Sequence, residues 1–189
     1  MDIIIAAVGG QGALLASKVL GRLAQNKGLD VKMSEVHGMA QRGGSVITHV
    51  RFAEEVNSPL IEEGSADVVL ALEMLEGARY ISYLKPGGKL ITNTQKIDPM
   101  SVIIGQQEYP AELKEQLSQL DLEIITEDAL GLAKEAGNMK AANIALMGVL
   151  AKNTEIEKEE WLTAIKEIVP EKFQEVNITA FELGFNSEV

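Results

Sequence analysis

The chain opens on an apolar run that passes directly into a glycine-rich turn. Residues 3–8 are all apolar, and three glycines follow within positions 9–12. Beyond the turn, apolar side chains recur at Leu15, Val19 and Leu23, which is the spacing of one face of a helix. The pattern therefore predicts a strand, a tight turn and an amphipathic helix.

Later segments alternate between strand-like and helix-like spacing. Residues 30–36 and 45–52 are predicted as strands, and the face of the second strand that carries His49 is expected to be solvated or covered by a partner. The continuous apolar run 67–72 is typical of a buried parallel strand. Further strands are predicted at 89–93, after a turn at 85–88, and at 122–126, and helices at 73–84, 110–120, 127–136, 138–152, 156–169 and 171–185.

The order of these elements predicts the fold class. A strand, a helix and a second strand give a β–α–β start, and the last third of the chain is helical. We predict an α/β fold with three layers: a mostly parallel, Rossmann-like sheet, helices on both of its faces, and a helical C-terminal third. A length of 189 residues predicts a single domain over 1–189.

The amino-acid composition of the chain argues against several classes of function. A net charge of −11 argues against nucleic acid and against anionic membrane surfaces. Without cysteine, the chain offers no disulfide and no thiolate ligand for an iron–sulfur cluster, and two histidines make a histidine-rich metal site improbable. Its apolar runs are too short to cross a bilayer, and the start shows no basic leader, so a cytoplasmic location is the default expectation.

The glycine turn is the first candidate site. The spacing Ala7-x-Gly9-x-x-Gly12 is a Rossmann-type fingerprint whose first glycine is alanine. Glycines let a ligand approach the backbone closely, and the following helix directs its free N–H groups at the loop, which suits an anion. The alternative is a strand–helix turn that binds nothing.

An acid lies about 20 residues further on, where a dinucleotide-binding fold has its ribose-binding carboxylate. This acid, Glu35, would indicate NAD or S-adenosylmethionine. The alternative is a solvated acid near a strand end.

The loop that follows is the most unusual stretch of the chain. Between Glu35 and Ser45 it combines an imidazole, an amide and a guanidinium with several glycines. A glycine-flanked arginine, Arg42, suits bidentate contact with a carboxylate or phosphate. As alternatives, His37 could cap a strand and Arg42 could pair with the acidic surface.

Five segments together are more specific than any one motif: 9–12, 34–46, 58–61, 66–73 and 83–88. In combination they resemble the gamma-type domain of the 2-oxoacid:ferredoxin oxidoreductases, and within that family the beta-subunit branch of the indolepyruvate ferredoxin oxidoreductases. The likeness is strong over residues 1–95 and is one of pattern beyond them. Ala7 is a departure, because the family commonly has another glycine there.

The resemblance implies a subunit of a complex that oxidatively decarboxylates an aryl 2-oxoacid, such as indolepyruvate, with coenzyme A. The products would be an acyl-CoA, carbon dioxide and reduced ferredoxin. Thiamine diphosphate and iron–sulfur clusters would lie on the larger partner subunit, with no cofactor bound by this chain alone. The residues implied to face substrate or coenzyme A are Gly9, Gly10, Gln11, Gly12, Glu35, His37, Gln41, Arg42, Gly43 and Gly44.

Two alternatives from other classes stay open. One is a free-standing NAD-dependent enzyme, which the glycine turn and Glu35 favour. The other is an S-adenosylmethionine-dependent methyltransferase, which the turn at 84–90 resembles. A methyltransferase usually needs a closing antiparallel strand pair near the C-terminus, whereas residues 138–185 are predicted as helices.

Overall fold

The structure, a computed structural model, describes residues 1–37 and 44–188, and of His37 the backbone alone. The strands are β1 (Asp2–Val8), β2 (Asp30–His37), β3 (Ser45–Ala53), β4 (Ala66–Ala71), β5 (Leu84–Asn93) and β6 (Glu123–Glu127). The helices are α1 (Ala13–Asn26), α2 (Met74–Tyr80), α3 (Met100–Ile103), α4 (Leu113–Ser118), α5 (Ala129–Glu135), α6 (Ala142–Lys152), α7 (Lys158–Ile168) and α8 (Glu171–Asn186). Short 3₁₀ helices cover Ile81–Tyr83 and Met139–Ala141.

Within the described residues the strands form one sheet in the order β2-β3-β1-β4-β5-β6. β1, β4, β5 and β6 are parallel neighbours, and β3 runs antiparallel to both β1 and β2. Five of the six strands therefore point the same way, and the prediction of a mostly parallel sheet is confirmed. The predicted β–α–β start is present, with β2 parallel to β1, but its two strands are not neighbours, because β3 lies between them. The short β2–β3 connection favours a hairpin, and β3 occupies the position next to β1, with Ile3 opposite Val50.

Helices cover both faces of the sheet, as predicted. Ile3 and Ile5 of β1 point into a core shared with α1, α5, α6, α7 and α8, and Ile4 and Ala6 point into a second core shared with α2 and α4. β1 is buried on both faces, which explains why its sequence is apolar without alternation.

The helical C-terminal third is centred on α6, whose residues from Asn143 to Ala151 are all buried. α8 packs against it at very short range. A Cβ atom at Gly148 would lie 2.1 Å from the carbonyl oxygen of Phe181, and one at Gly184 would lie 1.9 Å from that of Ala145. Glycine is required at both positions because the two backbones are in contact.

Two local expectations differ from the structure. The predicted turn at 85–88 lies inside β5 and not before it: Gly87 has a φ of +76°, and the strand bulges there, since Leu84 pairs with Ala66 and Lys89 already pairs with Val68. The face of β3 that carries His49 is covered by the chain itself over most of its length: Ile47 and His49 are buried, and Nδ1 of His49 accepts a hydrogen bond of 3.2 Å from the backbone N–H of Ile61.

Candidate functional site

The glycine turn lies at the carboxyl edge of the sheet, at the end of β1. It is closed by two backbone hydrogen bonds: the N–H of Gly9 donates to the carbonyl of Gly44 at 2.9 Å, and that of Gln11 donates to the carbonyl of Val8 at 3.1 Å. Gly10 and Gly12 have φ values of +103° and +87°, which residues with a Cβ atom rarely adopt. The predicted strand–turn–helix is confirmed, and its glycines are needed for the turn itself.

The side chain of Gln11 lies between the ends of β1 and β4. Its Oε1 accepts a hydrogen bond from the N–H of Val8 at 2.8 Å, and its Nε2 donates to the carbonyl of Leu72 at 2.8 Å. The chain connection from β1 leads to one side of the sheet and that from β4 to the other, so this is the switch point at which open α/β sheets bind ligands. In a dinucleotide fold the pyrophosphate lies against this turn; here an internally bonded amide fills the gap between the two strands.

The helical C-terminal third reaches the same turn through Asn143 of α6. Its Nδ2 donates to the carbonyl of Gly12 at 3.0 Å, and the side chain is only 3% exposed. A Cβ at Gly12 would lie 2.5 Å from that Nδ2. Sequence reasoning missed Asn143, although a lone amide in an otherwise apolar helix is a signal that could have revealed it.

Behind the turn is a crevice of about 590 Å³. Apolar side chains form much of its wall, and Lys140 stands at its rim, where the structure gives its ammonium group no ion pair with a described residue. A cavity of this size accommodates a small organic ligand. Its lining residues are Gly10, Gln11, Gly12, Leu15, Leu72, Asn93, Gln95, Leu130, Met139, Lys140, Ala142 and Asn143.

Two further amides at the end of β5 line the crevice. Asn93 is buried, and its Nδ2 donates to the carbonyl of Leu72 at 3.2 Å; its Oδ1 accepts from the N–H of Gln95 at 3.4 Å. The Oε1 of Gln95 in turn accepts from Nε2 of Gln11 at 3.2 Å. Neither residue was predicted, but polar residues that directly follow a buried strand are candidates by position alone.

On the opposite face of the sheet, two buried glutamates lie near the same edge. Glu73, 1% exposed, accepts hydrogen bonds from the hydroxyl of Tyr109 at 2.7 Å and from the N–H of Ile97 at 3.2 Å. Burial raises the pKa of Tyr109 above its ordinary value, and the Glu73 carboxylate adds to the rise. These bonds fix the segment after β5 to the start of α2.

Glu76 is 4% exposed and accepts a hydrogen bond from the hydroxyl of Ser45, the residue at which β3 begins. Burial raises the pKa of the Glu76 carboxyl, and neighbouring Glu73 adds to the rise, whereas Ser45 and Arg79, 3.3 Å away, oppose it. These groups line a smaller cavity of about 240 Å³. Glu76 is thus a buried acid beside the second predicted loop.

The predicted site residues are only partly brought together. Gly9, Gly10, Gln11 and Gly12 lie in the turn, and Gly44 is joined to it through Gly9. Glu35 lies in β2, opposite Thr48, whose hydroxyl donates to its carboxylate at 3.2 Å; because β3 lies between β2 and β1, Glu35 is separated from β1 by roughly 10 Å, two strand spacings. The side chain of His37 and residues Gln41, Arg42 and Gly43 lie outside the described residues.

The sequence of this chain is similar to those of known proteins over nearly its full length. The family model for pyruvate ferredoxin/flavodoxin oxidoreductase matches residues 2–187. The chain belongs to this oxidoreductase family. Among curated relatives, indolepyruvate oxidoreductase subunit IorB of Thermococcus kodakarensis is 43% identical over 97% of this chain and 93% of the relative. The subunit of the same name from Archaeoglobus fulgidus is 40% identical over 100% of this chain and 96% of that protein.

A solved structure in the same family has the same fold. The gamma subunit of a keto/oxoacid ferredoxin oxidoreductase from Geobacter sulfurreducens superimposes with a TM-score of 0.72 at 26% identity, over 97% of this chain and 95% of that one. In the part of the chain that the structure describes, no cluster of His, Asp and Glu could hold a metal ion. None of the described helices is long and apolar enough to span a membrane.

Proposed function

We propose that this chain is the subunit without cofactors in a 2-oxoacid ferredoxin oxidoreductase that acts on indolepyruvate and related aryl 2-oxoacids. The observation that carries the proposal is the identity of 43% over nearly the full chain to a protein named as an indolepyruvate oxidoreductase subunit. The resemblance of the turn and of segment 34–46 to the same family, noted from the sequence, supports it.

The proposed reaction joins the 2-oxoacid and coenzyme A. The bond between the carboxyl carbon and the oxo carbon breaks and carbon dioxide leaves. A thioester bond to the coenzyme A sulfur forms, and two electrons pass to ferredoxin. When bound on the partner subunit, thiamine diphosphate would supply the chemistry for decarboxylation and iron–sulfur clusters would supply the path for the electrons. A chain without cysteine has no thiolate for such clusters, which agrees with this division.

The role of this chain in the complex is to shape the mouth of the active site. The turn Gly9–Gly12 and the segment His37–Gly44 are the parts that we expect to face substrate or coenzyme A. The fixed turn supports this role because Leu72, Gly44 and Asn143, from three separate parts of the chain, are hydrogen-bonded to it. A preorganised backbone loses little entropy when a ligand binds.

Co-expression with candidate thiamine-binding subunits tests the proposal. We expect the chain to co-purify with one of them and the complex to reduce ferredoxin when indolepyruvate and coenzyme A are both supplied. The chain alone should be inactive. Turnover of an aryl 2-oxoacid by the isolated chain would contradict the proposal.

The competing function is a free-standing enzyme that binds NAD or S-adenosylmethionine. Two observations disfavour it: the amide of Gln11 fills the switch point, and Glu35 is one strand removed from β1. We expect neither NADH nor S-adenosylmethionine at millimolar concentration to raise the melting temperature of the isolated chain. A clear rise, combined with no co-purifying subunit, would favour the competing function.

A further inference from the structure

The hydrogen bonds between the amide groups around the crevice run in one direction, from Val8 through Gln11 to Gln95. The N–H of Val8 donates to Oε1 of Gln11, and Nε2 of Gln11 donates to Oε1 of Gln95 at 3.2 Å. A second, longer contact of 3.5 Å from Nδ2 of Asn93 reaches the same oxygen. The oxygen of Gln95 therefore faces two amide donors, and its other end, Nε2, has no hydrogen-bond partner among the described residues.

This arrangement fixes which way the Gln95 amide points. If the group were rotated by half a turn, its NH₂ would face the NH₂ groups of Gln11 and Asn93, and both contacts to the oxygen of Gln95 would be replaced by a donor facing a donor. Gln11 cannot rotate to compensate, because its oxygen is held by the N–H of Val8 and its nitrogen by the carbonyl of Leu72. Hydrogen-bond networks of this kind determine the orientation of an amide.

We propose that Gln95 offers its Nε2–H as a hydrogen-bond donor to a ligand in the crevice, and that Gln11 is the positioning residue that keeps this donor turned toward the ligand. The inference rests on the proposed function, for which it names a ligand-binding residue outside the family-like segments. Neither residue takes part in bond breaking.

The remaining lining describes the ligand. Leu15, Leu72, Leu130 and Met139 form apolar walls, and the exposed residue Lys140 adds a positive charge to the lining. Such a crevice fits an organic anion with an apolar body whose oxygen, from a carboxylate or a phosphate, accepts a hydrogen bond from Gln95. In the proposed reaction two compounds carry such groups, the aryl 2-oxoacid and coenzyme A, and the experiment distinguishes between them.

Steady-state kinetics of the assembled complex test the role of Gln95. Gln95→Glu replaces the donor with a carboxylate of the same shape, so it should raise the KM for one of the two compounds about tenfold or more and leave kcat within about twofold. Gln95→Met, which removes the donor without adding charge, should raise the same KM by a smaller factor. The compound whose KM rises is the one that the crevice holds.

The matched control is Gln119→Glu, which makes the same change of charge at an exposed position that does not line the crevice. It should leave both KM values unchanged. If Gln95→Glu and Gln95→Met also leave both KM values unchanged in a complex of full activity, the inference is wrong. The proposed function fails in a different way, since a wild-type complex would then reduce no ferredoxin with any 2-oxoacid.

A double-mutant cycle tests the positioning role of Gln11. Gln11→Met loses the donor to Gln95 without adding charge and should raise the same KM several-fold. In the Gln95→Met background it should have no further effect on KM, because the group on which it acts is gone. Equal effects of Gln11→Met in both backgrounds would show that Gln11 supports the turn alone and would overturn its proposed role.

Discussion

Gly12 has two structural roles. Its positive φ forms the turn, and its lack of a Cβ atom leaves room for Asn143 of α6. Gly28 also has a positive φ, +72°, but a Cβ there would meet nothing within 4 Å. We predict that Gly28→Ala lowers the free energy of unfolding by about 1–2 kcal/mol, the cost of a left-handed backbone. Gly12→Ala should cost about 1–3 kcal/mol more, because its methyl group also displaces Asn143.

Urea unfolding followed by circular dichroism measures both variants. The difference between them reports the contact at Asn143, since the backbone term is shared. Equal losses of stability would show that α6 yields to the added methyl group without cost.

Glu76 is expected to make stability depend on pH. Its pKa is raised in the folded protein by burial, so the folded state binds the proton more tightly than the unfolded state does. The stabilisation is fully present below the unfolded pKa and is lost as the pH rises through the folded pKa. Glu76→Gln, which stays neutral, should therefore gain stability relative to wild type as the pH is raised from acid to neutral, in urea unfolding at a series of pH values. A constant difference would contradict this.

Arg42 lies outside the described residues, and its role stays a prediction from the sequence. If the guanidinium binds a carboxylate or phosphate, Arg42→Ala should raise the KM for coenzyme A or the 2-oxoacid about tenfold in the assembled complex. Arg22→Ala is the matched control, since Arg22 lies on α1 at the surface and pairs with Glu167. An unchanged KM for both compounds in Arg42→Ala would indicate a structural loop.

At the scale of elements, the pair α6 and α8 depends on glycine. Gly148→Ala would bring a methyl group within 2.1 Å of a carbonyl oxygen of α8, and the helices would have to separate. We predict a loss of about 3 kcal/mol in the free energy of unfolding, at the upper end for overpacking. Glu175→Ala, on the exposed face of α8, should change it by less than about 0.5 kcal/mol. If the two variants unfold at the same urea concentration, the close packing is not needed for stability.

Element positions were largely predictable because local patterns determine them. β4 has the apolar run of a buried strand, and α7 and α8 are predicted within about two residues of their ends. α3 was missed, and α2 is shorter than its apolar spacing predicts because the last turn is a 3₁₀ helix. Such short elements depend on contacts elsewhere in the chain.

At the scale of the whole molecule, long-range pairing limits what the sequence reveals. The apolar alternation of β3 predicts a strand but not its place between β2 and β1. The glycine turn was recognisable from spacing, whereas Gln95 and Asn143 join it from residues far along the chain. The candidate site is assembled from six parts of the sequence, of which only the glycine-rich segments have a local signature.

The position of β1 at the centre of the sheet has a consequence for the order of folding. Ile3 pairs with Val50 on one side and Val68 on the other, whereas His37 of β2 pairs with nearby Val46 of β3. Closing the longer loops costs more entropy, so the β2–β3 hairpin can form before β1 is enclosed. In pulse-labelling hydrogen exchange during refolding, the amides of β2 and β3 should gain protection before those of β1; simultaneous protection would contradict this order.

During synthesis, β1 stays unpaired until its neighbours in the sheet have been made. Its apolar run precedes both β3 and β4 in the chain, and β4 ends only at Ala71. Until then the strand that will carry the glycine turn has no complete sheet to join, and an exposed apolar strand is prone to aggregate. We therefore expect β1 to be a segment whose exposure during synthesis favours aggregation until β3 and β4 have been made.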